Sequence, residues 1–253
     1  MNCALCAVPA APVRSKPSHK FEMVNQLLFG EGMHVLKTKD KWVKIQTVPD
    51  NYEGWIRSNM IAEVDENVLF GCFVTAGLLN TIKIGEMPMH VPIGSTLPAF
   101  KNGQGVADNF KYKFEGLFFN RNEVKPNCEQ VTHLTGQWLN APYLWGGRTP
   151  LGVDCSGFVQ VIFKMMGIDL LRDARLQVDQ GMEIRKLQDA QCGNVAFFRN
   201  RKRKITHVGI LLGQTQVIHA SGRVRIDAID EKGIINADTG KRTHTLVALR
   251  KLW

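Results

Sequence analysis

The chain has 253 residues, of which 44% are hydrophobic, and its 32 basic and 23 acidic side chains give a formal net charge of +9. This length and composition indicate a globular protein of one or two ordinary domains with a sizeable core. No apolar run reaches the roughly eighteen residues that a membrane-spanning helix requires, so we expect no membrane partner.

The first quarter of the chain alternates short apolar segments with Gly, Pro and Asn. Such a pattern predicts short β-strands separated by turns, and five strands are enough for a small barrel. The five segments are residues 10–14, 22–26, 33–37, 42–46 and 53–57. We therefore predict a β-barrel over residues 1–65.

The next part of the chain, residues 66–122, contains further strand-like segments. They lie at 68–75, 81–84, 94–101 and 108–115, and they predict a second, degenerate copy of the barrel. A polar linker then ends at Asn127, which is a residue type that favours a helix N-cap. Beyond it Val131, Leu134 and Trp138 predict a helix at the start of a C-terminal domain over residues 123–253.

A cysteine at the start of a second predicted helix is the candidate nucleophile. The segment Asp154-Cys155-Ser156-Gly157 precedes apolar residues at helical spacing, which are Phe158, Val161, Ile162, Met165 and Met166. We expect Asp154 to cap this helix. A thiol in the first turn lies near free backbone N–H groups and the positive end of the helix dipole. This position favours the thiolate of Cys155, and the same N–H groups could hold an oxyanion.

Two segments downstream predict antiparallel strands joined by a tight turn. The first, 205–212, contains His207, and the second, 216–222, contains His219. Pairing of the strands would bring the two imidazoles together, so that the first accepts the thiol proton and the second orients the first. The other histidines fit ordinary half-buried positions, and they are His19, His34, His90, His133 and His244.

Taken together, these motifs resemble the NlpC-type cell-wall cysteine peptidases, a rearranged branch of the papain-like fold. The matching residues are 143, 145–147, 154–157, 172–177, 193–198, 206–210 and 219–221. The resemblance implies an α+β domain in which helices pack on an antiparallel sheet. It also implies that Cys155 is the nucleophile, His207 the base and His219 the orienting residue, with no metal or organic cofactor.

The N-terminal segments resemble bacterial SH3-like domains, through Pro-Val-Arg, Gln-Leu-Leu-Phe-Gly-Glu, Trp-Val-Lys-Ile and Tyr-Glu-Gly-Trp-Ile in that order. Two SH3-like barrels ahead of an NlpC-type domain resemble the recycling dipeptidyl-peptidases. That resemblance implies hydrolysis of the γ-D-glutamyl–diamino acid bond in murein peptides with a free N-terminal L-alanine. A barrel is then expected to close one end of the substrate groove.

The same resemblance suggests which residues contact the peptide. Asp154, beside the nucleophile, would pair with the substrate ammonium, while Tyr143 and Ser156 would flank the cleft. Asp173 lies in a family motif, although the family often has a small hydroxyl residue directly after it, where this chain has alanine. Tyr52 would be the contribution of the barrel to the groove wall.

The N-terminal sequence and the cysteines bear on the compartment. No basic n-region or apolar h-region is present at the start, so we predict the cytoplasm, or a periplasmic or secreted location if a leader has been lost. We expect the six cysteines to be reduced thiols rather than a disulfide framework. Cys3 and Cys6 have zinc-site spacing, but no second pair follows at ligand spacing, so we predict no metal site.

The densest positive charge is the basic run from Arg199 to Lys204, between two predicted strands. A solvated hairpin tip explains it without a nucleic-acid partner, since no nucleic-acid-binding motif accompanies it. A positive surface could also gather anionic wall fragments. The oligomeric state stays open, and so do two alternative functions: a non-catalytic wall-binding protein that uses its barrels, and an amidase or acyltransferase of the same fold.

Overall fold

The computed structural model describes residues 2–200 and 202–253. Two compact units are present, one containing the chain up to Val124 together with Trp145–Pro150, and the other containing Lys125–Leu144 and Leu151–Trp253. Within the basic run, Arg201 lies outside the described residues. Among the described helices, none is long and apolar enough to cross a membrane.

The N-terminal unit begins with an antiparallel sheet whose strands lie in the order β3-β2-β6-β5-β4-β1-β7. The strands are β1 (Asn2–Cys6), β2 (Ala10–Arg14), β3 (Met23–Leu28), β4 (Gly32–Lys39), β5 (Trp42–Thr47), β6 (Glu53–Arg57) and β7 (Ile61–Val64). Apolar side chains on one face form a core that includes Val13, Ile45 and Ile56, none of which is exposed. This arrangement follows from the alternation in the sequence, because successive side chains of a strand point to opposite faces.

A second sheet of the same unit has the order β10-β9-β13-β12-β11, and β8 pairs with β14. The strands are β8 (Phe73–Thr75), β9 (Leu79–Ile84), β10 (Met87–Pro92), β11 (Phe100–Lys101), β12 (Gln104–Ala107), β13 (Phe110–Phe114) and β14 (Phe118–Asn120). Tyr112 and Phe114 pack in one cluster with Leu5 and Phe29 from the first part of the chain. The two sheets therefore share a core, and the boundary placed at residue 65 stays a prediction.

The short segment 145–150 belongs to the N-terminal unit through a buried ion pair. It contains β15 (Arg148–Thr149). The guanidinium of Arg148 donates to both carboxylate oxygens of Glu31, at 2.7 and 2.9 Å. The Trp145 indole N–H also donates to Glu22, at 2.7 Å. Single-turn 3-10 helices at Ser58–Met60, Glu66–Val68 and Arg121–Glu123 complete this unit.

The C-terminal unit contains three α-helices in its described residues, α1 (Cys128–Gly136), α2 (Cys155–Met165) and α3 (Ala174–Gln177), with a short strand β16 (Gly152–Val153) and a 3-10 turn at Leu187–Asp189. As predicted, Asn127 caps α1, because its side chain accepts the N–H of Gln130. Trp138 is buried just beyond the end of this helix.

The sheet of this unit has the order β17-β23-β18-β19-β20-β21-β22, and β22 also pairs with β23. The strands are β17 (Met182–Ile184), β18 (Val195–Arg199), β19 (Ile205–Leu211), β20 (Gln216–Ser221), β21 (Arg223–Asp230), β22 (Gly233–Ile235) and β23 (Arg242–Lys251). All the pairings are antiparallel, and α2 packs against β19 and β20. The predicted α+β class is thereby confirmed.

One prediction about the cysteines is wrong. Cys128 and Cys192 form a disulfide with their Cα atoms 5.4 Å apart, instead of remaining reduced thiols. The bond links the first residue of α1 to the segment before β18, so residues distant in sequence become neighbours only through the fold. Cys3, Cys6, Cys72 and Cys155 take no part in this disulfide.

Candidate active site

The helix that carries Cys155 begins as the sequence predicts. Asp154 is its N-cap, and its side chain accepts the Gly157 N–H at 2.7 Å. Every residue from Cys155 to Met165 is buried, which follows from the apolar residues that dominate this segment. Gly167 has a φ of 79° just after the helix, a conformation that favours glycine at a helix end. The helix start is thus fixed inside the unit.

A buried polar network surrounds the capping carboxylate. Arg172 donates to both oxygens of Asp154, at 3.0 and 2.6 Å, and to the Ser156 hydroxyl at 2.9 Å. Gln177 lies in the same motif as Arg172 and donates to the carbonyl oxygen of Ser156 at 3.1 Å. Asp154 is therefore already paired with a cation inside the protein. The sequence did not predict this partner, although it marked the 172–177 motif.

The thiol of Cys155 lies beside the backbone of β19. Its Sγ atom lies 4.0 Å from the carbonyl oxygen of Thr206, the residue directly before His207. Burial raises the pKa of Cys155 to about 12, and the charge of Asp154 adds to this effect. Hydrogen bonds from Val208 and from Ser156 at the helix start oppose the rise without cancelling it. The predicted resting thiolate is therefore wrong, because burial outweighs the helix start, and the thiol needs a base.

The two predicted histidines meet in a hairpin. Strands β19 and β20 pair antiparallel, and His207 Nε2 lies 2.7 Å from His219 Nδ1. Burial lowers the pKa of His207 well below its usual value, and the charges of His219 and His244 act in the same direction. His207 is therefore neutral in the free protein, as a base that accepts a proton must be.

A fourth side chain extends this pair. Asp227 on β21 lies 3.0 Å from His219 Nε2, and its side chain is 1% exposed. Burial alone would raise the pKa of Asp227, but hydrogen bonds from His219, Ala237 and Arg225 lower it well below its usual value. The site therefore contains a continuous chain of hydrogen bonds from His207 through His219 to an ionised carboxylate.

The sequence and this geometry match a known group of proteins. Residues 140–243 match the NlpC/P60 family, and residues 13–61 match the bacterial dipeptidyl-peptidase SH3 domain. Dipeptidyl-peptidase 6 of Lysinibacillus sphaericus is 34% identical over 269 residues, which covers 92% of this chain and 93% of that protein. The chain belongs to the NlpC/P60 family. It is therefore a cysteine peptidase, and the predicted family and SH3-like domain are both confirmed.

Two further relatives of this NlpC/P60 protein agree with that placement. The γ-D-glutamyl-L-lysine dipeptidyl-peptidase of Bacillus subtilis is 27% identical over 219 residues, which covers 77% of this chain and 71% of that protein. An NlpC/P60 family protein from Bacillus cereus has a crystal structure that superposes with a TM-score of 0.82, at 18% identity over 99% of both chains. The latter comparison establishes the shared fold.

The structure places the other predicted contact residues in different surroundings. Tyr143 is partly exposed, and burial together with the charges of Cys155 and Asp154 raises its pKa, so the phenol keeps its proton. Asp173 pairs with Arg175 at 3.1 Å. Tyr52 belongs to the N-terminal unit, where its backbone N–H donates to Thr47. Their roles toward a peptide stay predictions.

Two residues of this NlpC/P60 site were missed by the sequence reasoning. Asp227 had no motif to mark it, and His244 was assigned to an ordinary half-buried position. The His244 ring in fact stacks on that of His207, with centroids 4.2 Å apart. In the part of the chain that the structure describes, no group of three or more His, Cys, Asp or Glu side chains has the arrangement of a metal site.

Proposed function

We propose that the protein hydrolyses the γ-D-glutamyl–diamino acid bond of murein peptides with a free N-terminal L-alanine, in the recycling of wall peptides. The observation that supports the proposal most directly is the 2.7 Å contact between His207 and His219. His207 lies on β19, and the backbone of the same strand contacts the Cys155 thiol. The name of the Bacillus subtilis relative, a γ-D-glutamyl-L-lysine dipeptidyl-peptidase, supports the bond type, and the name of the Lysinibacillus sphaericus relative, dipeptidyl-peptidase 6, supports the release of a dipeptide.

The reaction is acyl transfer through a thioester. The Cys155 thiol gives its proton to His207 as the sulfur attacks the γ-carbonyl carbon of D-glutamate, and backbone N–H groups at the start of α2 hold the oxyanion. The protonated His207 then gives its proton to the leaving amine of the diamino acid as the C–N bond breaks. In the second half, His207 takes a proton from water, the water oxygen attacks the thioester, and the thiol regains its proton as it leaves.

Selection for a free N-terminus would depend on Asp154. An ammonium group that loses water on binding is costly to leave unpaired, so a nearby carboxylate would favour unblocked peptides. Arg172 already pairs with this carboxylate, so Asp154 would have to share its charge between two cations. Tyr143, Ser156, Asp173 and Tyr52 are proposed as the remaining contacts with the peptide.

The test compares wild type with Cys155→Ala on L-Ala-γ-D-Glu-meso-diaminopimelate and on the corresponding L-lysine peptide. Cys72→Ala is the matched control, because Cys72 is a free cysteine of the N-terminal unit. We expect release of the diamino acid by wild type and the control, and background turnover by Cys155→Ala. Equal background turnover by all three would overturn the proposal. Undiminished cleavage of an N-acetylated peptide by wild type would remove the ammonium requirement.

The two alternatives differ in their support. Membership of the NlpC/P60 family argues against a non-catalytic wall-binding protein. An amidase or acyltransferase of the same fold would form the same thioester, so the acceptor distinguishes it. Adding an amine nucleophile to the assay tests this point: we expect free L-Ala-D-Glu as the main product, and a dominant amide product would instead identify an acyltransferase.

The disulfide bears on the compartment. Disulfides persist in oxidising compartments and are rare in the cytoplasm, so the bond between Cys128 and Cys192 favours the periplasmic or secreted alternative over the predicted cytoplasm. We propose that the protein acts in an oxidising compartment. Alkylation of the native protein in intact cells, followed by mass spectrometry, should leave both cysteines unlabelled until a reductant is added. Complete labelling without reductant would overturn this proposal.

A further inference from the structure

Asp227 occupies a buried position that connects the histidine pair to β21. Its strand pairs antiparallel with β20, and in this register Asp227 lies opposite Val217. Val217 comes two residues before His219 on β20, so Asp227 is a diagonal neighbour of His219. A diagonal neighbour on the same face of a sheet is within reach of a long side chain. The Oδ2 atom of Asp227 meets His219 Nε2 at 3.0 Å.

The other oxygen of the same carboxylate is occupied by donors. Arg225 donates to Oδ1 through Nε at 3.1 Å and through Nη2 at 2.9 Å, and the Ala237 backbone N–H donates at 2.9 Å. Arg225 is held in turn by Asp238, at 2.6 Å. These three donors keep the carboxylate ionised and fix which oxygen faces His219. An ionised carboxylate only accepts hydrogen bonds, so His219 Nε2 must carry a proton.

The proton on His219 Nε2 determines whether the next two nitrogens, His219 Nδ1 and His207 Nε2, accept or donate a hydrogen bond. A neutral imidazole has one N–H, so a proton on His219 Nε2 leaves Nδ1 as an acceptor. His207 Nε2 then donates across the 2.7 Å contact. His207 Nδ1 is left without a proton, and this is the atom that can accept one from a thiol.

We propose that Asp227 is a positioning residue that selects, through His219, the tautomer in which His207 can act as the base. The inference rests on the proposed role of Cys155 and His207, and it extends that role to a residue that touches neither the substrate nor the thiol. Fixing a tautomer at a distance is a known use of a buried carboxylate behind a catalytic histidine.

Asp227→Asn gives a specific expectation because the site distinguishes the two ends of an amide. The three donors at the Oδ1 position require the amide oxygen there, so the NH2 group would face His219 Nε2. His219 would then accept at Nε2 and donate at Nδ1, and His207 would have to accept at Nε2. The proton of His207 would move to Nδ1, where it blocks the base, and we expect kcat to fall about 10³-fold with KM little changed.

The matched control is Asp230→Asn, on the same strand. Asp230 also pairs with an arginine, Arg242, and accepts the backbone N–H groups of Lys232 and Gly233, but no histidine contacts it in the described residues. We expect kcat of this variant to stay within about twofold of wild type, because the Asp230–Arg242 pair that it removes is a largely exposed ion pair. The comparison separates loss of an Asp–Arg contact from loss of the tautomer.

Two measurements do not depend on peptide cleavage. Long-range ¹H–¹⁵N spectra of histidine-labelled protein report which nitrogen of each ring is protonated, and mass spectrometry follows the rate of Cys155 alkylation by iodoacetamide. In wild type we expect His207 and His219 both protonated at Nε2. In Asp227→Asn we expect both protonated at Nδ1, with alkylation at least tenfold slower than in Asp230→Asn.

The outcomes separate this inference from the proposed function. A wild-type spectrum with His219 protonated at Nδ1 would overturn the inference without any variant, even if Asp227→Asn failed to fold. Unchanged kcat and alkylation in Asp227→Asn would also overturn it. If wild type cleaves no murein peptide but the tautomers and alkylation rates behave as expected, the proposed substrate is wrong and the role of Asp227 stands.

Discussion

The imidazole rings of His244 and His207 stack, with an angle of 26° between their planes and 4.2 Å between their centroids. Burial, followed by the charge of His219, lowers the pKa of His244 to about 4. Two imidazolium rings in such contact would repel each other in a partly desolvated site. The stack therefore favours the neutral form of His207, which the proposed mechanism requires at its start.

Replacing His244 with Phe should move the acid limb of kcat/KM to higher pH. The variant keeps an aromatic ring against His207 but removes an imidazole that, in its protonated form, lowers the pKa of His207. His219 and the Phe198 ring stay in place around the base, and burial remains the main cause, so we expect a partial shift. The measurement is a pH–rate profile from about pH 4 to about pH 8.

His133→Phe is the control for this profile. His133 is exposed on α1, where it contacts Gln137, and its replacement should leave the acid limb where it is in wild type. An identical acid limb in His244→Phe and wild type would show that the stack does not influence the base.

The histidines of the stack, His207 and His244, should make the folded protein less stable in acid. The folded-state pKa values of His207 and His244 lie below the unfolded value of 6.5, so the unfolded chain binds more protons between these limits. Their contribution to stability is complete above 6.5 and is lost as the pH falls toward the lowered values. Thermal melting should therefore show Tm falling from pH 6.5 toward pH 4, with a smaller fall in His244→Phe. Equal falls in both proteins would contradict this account.

Removing the Arg172 guanidinium should destabilise the C-terminal unit strongly. Arg172→Met leaves the buried carboxylate of Asp154 without its cation, which costs about 3–5 kcal/mol in the free energy of unfolding. Arg175→Met is the control, because Arg175 is 68% exposed and its pair with Asp173 is worth at most about 1 kcal/mol. Urea unfolding measures both variants. Similar losses in the two would show that Asp154 does not need its buried partner.

The Cys128–Cys192 bond should contribute to stability without serving the reaction. The bond closes a loop between residues separated by 64 positions, so replacing both cysteines with Ser should lower the free energy of unfolding by about 2–4 kcal/mol. A reductant should cause the same loss in wild type and none in the double variant. Continued loss on reduction of the double variant would locate the effect elsewhere.

Local patterns were enough to predict the parts of the site that depend on neighbours in sequence. The apolar spacing after Cys155 and the cap at Asp154 defined the start of α2, because the apolar residues of a buried helical face recur every three or four residues. The hairpin that joins His207 to His219 needed only a turn and two short strands. Motif order then related these local features to a family.

Contacts that depend on the wider fold could not be predicted in this way. Asp227 reaches His219 only in the register that β21 adopts beside β20, and alternating strand patterns do not specify that register. His244 reaches the site from β23, a strand that pairs with β18 and β22. Arg172 neutralises Asp154 across a loop. Each contact depends on strand order or chain packing rather than on spacing.

The most direct test of the account is to trap the covalent intermediate. Wild type mixed with L-Ala-γ-D-Glu-L-Lys, quenched in acid and digested, should yield the peptide that contains Cys155 with an L-Ala-D-Glu acyl group attached as a thioester. Cys155→Ala should show neither the adduct nor release of lysine. Release of lysine by Cys155→Ala at the wild-type rate, with no acylated Cys155 in the wild-type protein, would contradict the assignment of this cysteine as the nucleophile.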